Sequence, residues 1–304
     1  MSRPASRPLH VIGLSLAVPA LIVALICLSD PRPTWLYMLD IFTVPLLSAC
    51  VALTAVLALL RQRLAAVVAL AACLVLFAAA APQILPPRPQ AKDGAPALHV
   101  VFANLYFRNP DPGRLAAWAE AQRADIVVTA ETTPRLWEML RARMDAHYPY
   151  ANQQGEIAIF ARYPFPYQRH PDGHFGVAAM RTPLGPLRLI GAHFDHPDSH
   201  REPRRPGFDA RLRQRLDAGD PAATLLVGDF NSDMSAYMLK GLARDYRLTA
   251  LPALNGSWPS PLPGLLRLSI DNALAGADWR LSGRVVGPDI GSDHRPIAFT
   301  LQRN

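Results

Sequence analysis

The sequence predicts a layered α/β or α+β domain of sheets and helices, preceded by three transmembrane α-helices. Three observations carry this. The first quarter of the 304-residue chain holds three long apolar runs. The remainder alternates short β-branched runs with amphipathic helical segments. Polar side chains stand repeatedly at the ends of the predicted strands. The hydrophobic fraction is 50% and the charged fraction 18%, against a usual charged share of ~25%. That surplus is local to the first quarter. Lys+Arg 31 against Asp+Glu 24 leaves a net charge of +7, which favours anionic partners such as phosphates, nucleic acid or lipid headgroups. Cys27, Cys50 and Cys73 all lie in the apolar quarter. The rest of the chain can therefore hold neither a disulfide framework nor a cysteine metal site.

The apolar runs are Val11 to Leu28, Ile41 to Leu60 and Leu64 to Ala81. Each is close to the ~20 residues that span a bilayer. Pro19 and Pro45 are tolerated in membrane helices. Arg3 and Arg7 precede the first run, and Arg61 and Arg63 flank the turn before the third. The segment between the first two carries Asp30 and only Arg32. The positive-inside rule then puts the N-terminus and the 61–63 turn in the cytoplasm, with Trp35 and Tyr37 at the far interface. This predicts a multi-pass protein of the cytoplasmic (inner) membrane, with everything after the third run on the periplasmic or extracellular side. Residues 1–82 are read as the membrane anchor, 83–97 as a proline-rich linker and 98–304 as the catalytic domain. The linker prolines Pro86, Pro87, Pro89 and Pro96 make a stiff extended segment that holds the domain a short way off the membrane.

In the domain, Leu98–Ala103 reads as a strand ending at Asn104, and Pro112–Arg123 as a helix with proline in its first turn. Asp125–Ala130 is a strand ending at Glu131, followed by an amphipathic helix over Pro134–Asp145. Strands are expected over Glu156–Ala161, Phe175–Met180 and Leu187–Ala192, the last ending at His193. A basic helix covers Phe208–Leu216. Thr224–Gly228 is a buried-type strand, Ala236–Arg244 a helix, and further strands run into Asp271 and over Pro296–Leu301.

The stretch Gly228-Asp229-Phe230-Asn231 organises the rest. Side chains alternate across a strand, so Asp229 and Asn231 are expected to point the same way and Phe230 into the core. A carboxylate and a carboxamide aimed together can hold a phosphate and its attacking water. The same residues also suit a strand running into an Asx turn. Asn104, Glu131, His193 and Asp271 each have a bland alternative as turn, cap or core residues. Asp293-His294, between Gly291-Ser292 and Arg295-Pro296, has no evident packing purpose. The arginines Arg201, Arg204, Arg205, Arg211, Arg213 and Arg215 either grip anionic groups or form a solvated helix face.

Taken together, residues 98–303 resemble the endonuclease/exonuclease/phosphatase superfamily, including the bacterial membrane proteins associated with teicoplanin resistance. The resemblance rests on Asn104, Asp125-Ile126-Val127-Val128 with Glu131, and Gly155-Glu156-Ile157-Ala158. It continues with His193 in Gly-Ala-His-Phe, Gly-Asp-Phe-Asn at 228–231, Ile270-Asp271, and Ser292-Asp293-His294-Arg295-Pro296. It implies the α+β class, a DNase-I-like four-layer α/β/β/α sandwich with its site at one end of the sheets. It also implies Glu131, Asn104 and Asp293 as ligands of Mg²⁺ (or Mn²⁺), a hard cation suited to oxygen donors. Asp229 then orients or deprotonates water, Asn231 holds a phosphate oxygen, and Asp271 fixes the His294 ring. His193 faces the phosphate from the other side, oriented by Glu156. Which of Asp229 and His294 is the base stays open. Tyr106 stands where some nucleases of the family carry an acidic ligand, and Ala130 where many members have Gln.

The expected function is a membrane-anchored, metal-dependent hydrolase of phosphate ester or pyrophosphate bonds outside the cytoplasm. A lipid-linked phosphate is the attractive substrate and membrane lipid a partner; no obligate protein partner is implied. A nuclease acting on extracytoplasmic DNA or RNA is the first alternative, and an inactive binding module the second.

Overall fold

The computed structural model describes residues 6–29, 38–85, 94–167, 173–195 and 204–304. The expectations placed on Arg3, Asp30, Arg32, Trp35, Tyr37, most of the linker and Arg201 lie outside the described residues. Among the described residues, three long apolar helices lie at the N-terminal end: α1 (Ser6–Leu28), α2 (Thr43–Leu59) and α3 (Arg63–Ile84). Both α1 and α2 pack on α3. The contacts are made by small side chains, Ala17, Ala24, Ala65, Ala69 and Ala72, which let the backbones approach closely. By length and composition, His10–Leu28 and Arg63–Ile84 can cross a membrane. At 17 residues α2 is shorter than that, so among the described residues two of the three expected spans reach spanning length.

The six-stranded sheet has the order β10-β11-β1-β2-β4-β3 and the five-stranded sheet the order β5-β6-β7-β9-β8. Their strands are β1 (Ala97–Asn104), β2 (Ile126–Ala130), β3 (Tyr150–Gln154), β4 (Ile157–Ala161), β5 (Phe175–Thr182), β6 (Gly185–His193), β7 (Thr224–Asp229), β8 (Thr249–Ala250), β9 (Asp271–Ala275), β10 (Trp279–Val286) and β11 (Ile297–Arg303). The central strands are buried on both faces, which is why they read as unbroken apolar runs. Leu98, Val100 and Phe102 of β1 face Leu225 and Val227 of β7 in the core between the sheets. On the outer side, Val101, Ala103 and Val127 pack beneath α4 (Gly113–Ala121) and α5 (Pro134–Met144) through Leu115, Leu136 and Leu140. On the opposite side, Ile190 and Leu226 pack beneath α6 (Arg204–Asp217) and α7 (Tyr237–Asp245) through Leu212, Leu216 and Leu239. The result is a four-layer α/β/β/α sandwich.

Two differences from the sequence reading bear on the site. The strand expected to run into Asp271 instead begins there. Strand β9 is antiparallel to β7, with Asp271 opposite Asp229, so its start meets the end of β7. The domain also touches the helices directly. The Gln83 side chain donates to the Ala253 carbonyl at 2.9 Å, and the Ala253 N–H donates to the Gln83 carbonyl at 2.8 Å. Ile41 joins Leu268 and Ile270 in a small apolar cluster against Trp258.

Candidate active site

Two parallel strand pairs aim their C-terminal ends at one place. In the first sheet β1 and β2 run side by side with Asn104 opposite Ala130, so Asn104 and Glu131 leave the sheet together. In the second, β6 and β7 end with His193 opposite Asp229. Beyond those ends the chain turns sharply. Tyr106, Glu131 and Asn231 all have left-handed backbones, with φ of 58°, 52° and 44°. For non-glycine residues this costs about 1–2 kcal/mol each, and such strain is common at functional sites.

The side chains meet around Asp229, which is 1% exposed. The Asn104 amide donates to Asp229 Oδ2 at 3.0 Å and to Glu131 Oε1 at 3.0 Å. The Phe107 N–H holds Glu131 Oε2 at 3.0 Å, and the Tyr106 N–H holds Asn104 Oδ1 at 2.9 Å. His294 Nε2 lies 3.7 Å from Asp229 Oδ2, and His294 Nδ1 is 2.8 Å from Asp271 Oδ2. From the other side, His193 Nε2 lies 3.8 Å from Asp229 Oδ2 and 3.9 Å from Glu131 Oε1. His193 Nδ1 is 3.2 Å from Glu156 Oε1. Ser292 locks the last segment: its hydroxyl donates to the Asn104 carbonyl at 2.8 Å and accepts from the His294 N–H at 3.0 Å.

Seven of the nine sequence-predicted residues therefore form one connected group: Asn104, Glu131, Glu156, His193, Asp229, Asp271 and His294. Asn231 and Asp293 stand at its edges. Strand β7 ends at Asp229, so strand alternation does not extend to Asn231. The Asn231 N–H caps Asp229 Oδ1 at 2.9 Å in an Asx turn, and its amide donates to the Phe194 carbonyl at 2.6 Å. Asp293 is exposed and accepts the Trp258 indole N–H at 3.2 Å. Two residues beside the site were not singled out from sequence. Trp258 lies 6.4 Å from the His294 ring, centroid to centroid. His174 holds Glu156 Oε1 at 2.6 Å. His174 immediately precedes β5 and stands directly opposite His193, a placement that only the hairpin register reveals. Of the arginine cluster, Arg213 is paired with Asp209 and Asp245, and Arg215 covers the Phe175 ring at 4.3 Å.

The group is electrostatically tense. Burial alone would lower the His294 pKa, but Asp271 and Asp229 outweigh it and hold it up at about 10. His193 is likewise lifted to about 9 by Glu156, Asp229 and Glu131 against its burial. Burial and the nearby Asp271 carboxylate push Asp229 upward. Glu156 falls to about 2: burial opposes this, but the His174 and His193 rings win. A buried carboxylate raised by burial and by a second carboxylate, as Asp229 is, favours a cation beside it. The oxygen donors that meet here, from Asn104, Glu131 and Asp229, are of the kind that suits a hard divalent ion. The arrangement can thus hold such an ion, present an imidazolium at His294 and accept a proton at Asp229.

The profile of the Endonuclease/Exonuclease/phosphatase family matches residues 101–294. No curated protein sequence matches the chain. Among solved structures, the endonuclease domain of TRAS1, a telomere-specific non-LTR retrotransposon, is 18% identical, with a TM-score of 0.53 over 68% of this chain and 99% of that one. An endonuclease/exonuclease/phosphatase protein from Beutenbergia cavernae is 18% identical, with a TM-score of 0.54 over 68% and 72%. A mutant of beta toxin from Staphylococcus aureus with bound magnesium ions is 15% identical, with a TM-score of 0.51 over 69% and 100%. At these identities the likeness speaks for the fold. With the family profile spanning the strands and the site alike, the chain belongs to the endonuclease/exonuclease/phosphatase family.

Proposed function

We propose that the protein is a membrane-anchored, divalent-metal-dependent phosphoesterase that cleaves a lipid-linked phosphate or pyrophosphate outside the cytoplasm. The observation that carries the chemistry is the placement of two imidazoles, His193 and His294, on either side of the buried Asp229 carboxylate, with Glu131 beside them. A phosphate seated there meets donors on both sides. His294 keeps its proton at neutral pH because its pKa is raised to about 10. It therefore donates to a phosphate or leaving oxygen, and Asp229 is left as the acceptor of the water proton. Asp271 stabilises the imidazolium. The spare amide hydrogen of Asn231 serves a phosphate oxygen. Glu131, Asn104 and Asp293 hold Mg²⁺ or Mn²⁺, which when bound neutralises phosphate charge.

The lipid part of the reading is supported by the side of the site that Trp258 forms. Trp258 touches Asp293, stands beside His294 and packs on Ile41 next to α2. The adjoining loop exposes Leu254, Leu262, Leu265 and Leu266, and α2 packs against its Gly264–Leu266 turn. An apolar rim continuous with apolar helices suits a substrate whose tail stays in the bilayer.

The test offers the purified full-length protein with Mg²⁺ three substrates: bis-p-nitrophenyl phosphate, plasmid DNA and a polyprenyl pyrophosphate in vesicles. Preferred turnover of the lipid, abolished by Asp229→Ala, is expected. Cleavage of DNA alone would establish the nuclease reading instead. Equal inactivity of wild type and variant would leave a binding module. Reporter fusions after Gln90 should be active only outside the cytoplasm.

A further inference from the structure

Glu156, His174 and His193 form a second polar cluster beside the Asp229 group. Each offers one ligand atom, and the three atoms lie within 4.8 Å of one another. Glu156 Oε1 is 2.6 Å from His174 Nδ1 and 3.2 Å from His193 Nδ1. The backbone fixes this geometry before any ligand arrives. Phe175 pairs with Ala192 in β5 and β6, which sets His174 directly across from His193. The His193 N–H donates to the His174 carbonyl at 3.0 Å, and the Glu156 N–H to the Gly173 carbonyl at 3.0 Å. Gly155 lies flat on Gly173 with a φ of +62°, and a Cβ there would meet the Gly173 Cα at 2.3 Å. The close approach delivers Glu156 to the two rings.

Two features distinguish the cluster from an ordinary hydrogen-bonded pair. His193 Nδ1 is buried and makes no aligned hydrogen bond, although it stands near the Glu156 oxygen. The cluster also reaches the surface: the His174 and Glu156 side chains are 36% and 29% exposed. Its donors differ in kind from the oxygen set proposed for Mg²⁺. Two imidazoles with one carboxylate match the coordination taken by Zn²⁺ and similar borderline ions.

We propose that Glu156, His174 and His193 bind a Zn²⁺-class transition-metal ion. His193 gives the ion Nδ1 and keeps Nε2 towards Asp229, so the ion sits behind the ring rather than in the substrate hollow. With Nδ1 ligated, Nε2 carries the ring hydrogen and points to the Asp229 carboxylate, 3.8 Å away.

The probe is Co²⁺ added to the full-length protein in detergent with Mg²⁺ in excess, followed by its visible ligand-field absorption. Wild type should bind one equivalent with the strong absorption of a low-coordinate nitrogen-containing site, and Zn²⁺ should displace it. His174→Ala should weaken Co²⁺ by at least about 100-fold, more than loss of an outer partner usually costs. Circular dichroism and the thermal midpoint report whether that variant is folded, and His174→Cys, which restores a metal-ligating side chain, should recover binding. Absence of a saturable cobalt spectrum in wild type, or an unchanged spectrum in folded His174→Ala, overturns the proposal. Because the readout is a spectrum and not turnover, a protein without phosphoesterase activity can still pass or fail it.

Discussion

Asp271 is fully buried and touches no substrate in the proposed arrangement, yet it sets the charge on His294 across a 2.8 Å contact. Asp271→Asn removes that charge. The His294 pKa should fall and turnover should drop by about 10²–10⁴, the usual worth of a positioned acid or base. The pH dependence of stability tests the same pair without substrate. The folded-state pKa of His294 is raised to about 10 from 6.5, so its contribution is fully present below about pH 6.5 and is lost as pH rises through about 10. Asp229, also raised, acts in the same direction. In EDTA, thermal unfolding of the wild type should therefore show a falling midpoint over that window. Asp271→Asn should flatten the fall, and an unchanged slope would mean the pair does not titrate as described. At this scale much of the candidate site could be read from sequence, because Asn104, Glu131, His193 and Asp229 each sit at or just past the end of a recognisable apolar run, and His294 stands in the Gly-Ser-Asp-His-Arg-Pro turn that leads into one. His174 and Trp258 could not. The first depends on the register of a hairpin, the second on a loop with no periodic pattern.

Strands β6 and β7 approach closely where the site begins, and Gly228 is the reason they can. A Cβ at Gly228 would meet the Ala192 carbonyl oxygen at 2.0 Å. That contact is with backbone, which cannot swing aside. Gly228→Ala should part the two strands between His193 and Asp229, lowering stability by about 1–3 kcal/mol as overpacking does. Turnover should fall further than the folded fraction does, because His193 and Asp229 separate. Thermal midpoint and Mg²⁺-dependent turnover measured on one preparation would check both; a normal midpoint would show that the strands adapt. The elements that were legible are those with two buried faces, such as Ile126–Ala130 and Thr224–Asp229. Strand β3, Tyr-Ala-Asn-Gln-Gln at the sheet edge, carries too little apolar pattern to be seen. The two residues of β8 are too short to carry any. The direction of the strand at Asp271 was lost for another reason: apolar residues flank it on both sides, and only pairing with β7 shows which half is strand.

Across the whole molecule, the apolar helices and the sandwich meet at the rim of the site, a relation no local pattern in the sequence could reveal. Ile41 is 4% exposed and packs on Leu268 and Ile270 beside Trp258. Burying such a side chain is worth about 1.5–3 kcal/mol. Ile41→Ser should shift the docked arrangement towards an undocked one by about tenfold or more, since about 1.4 kcal/mol is a factor of ten. Asp229, His193 and His294 do not touch Ile41, so their chemistry should survive the change. The proposed function then makes a split prediction. Turnover of a polyprenyl pyrophosphate embedded in vesicles should fall about tenfold, while turnover of soluble bis-p-nitrophenyl phosphate by the same preparation should stay within about twofold of wild type. A Gln83→Ala variant, which removes the side-chain bond to the Ala253 carbonyl, should move both rates in the same direction by a smaller step. Equal losses on both substrates would mean that the helices support the site itself rather than present a lipid to it. No loss on either would mean that the contact between helices and domain has no part in catalysis.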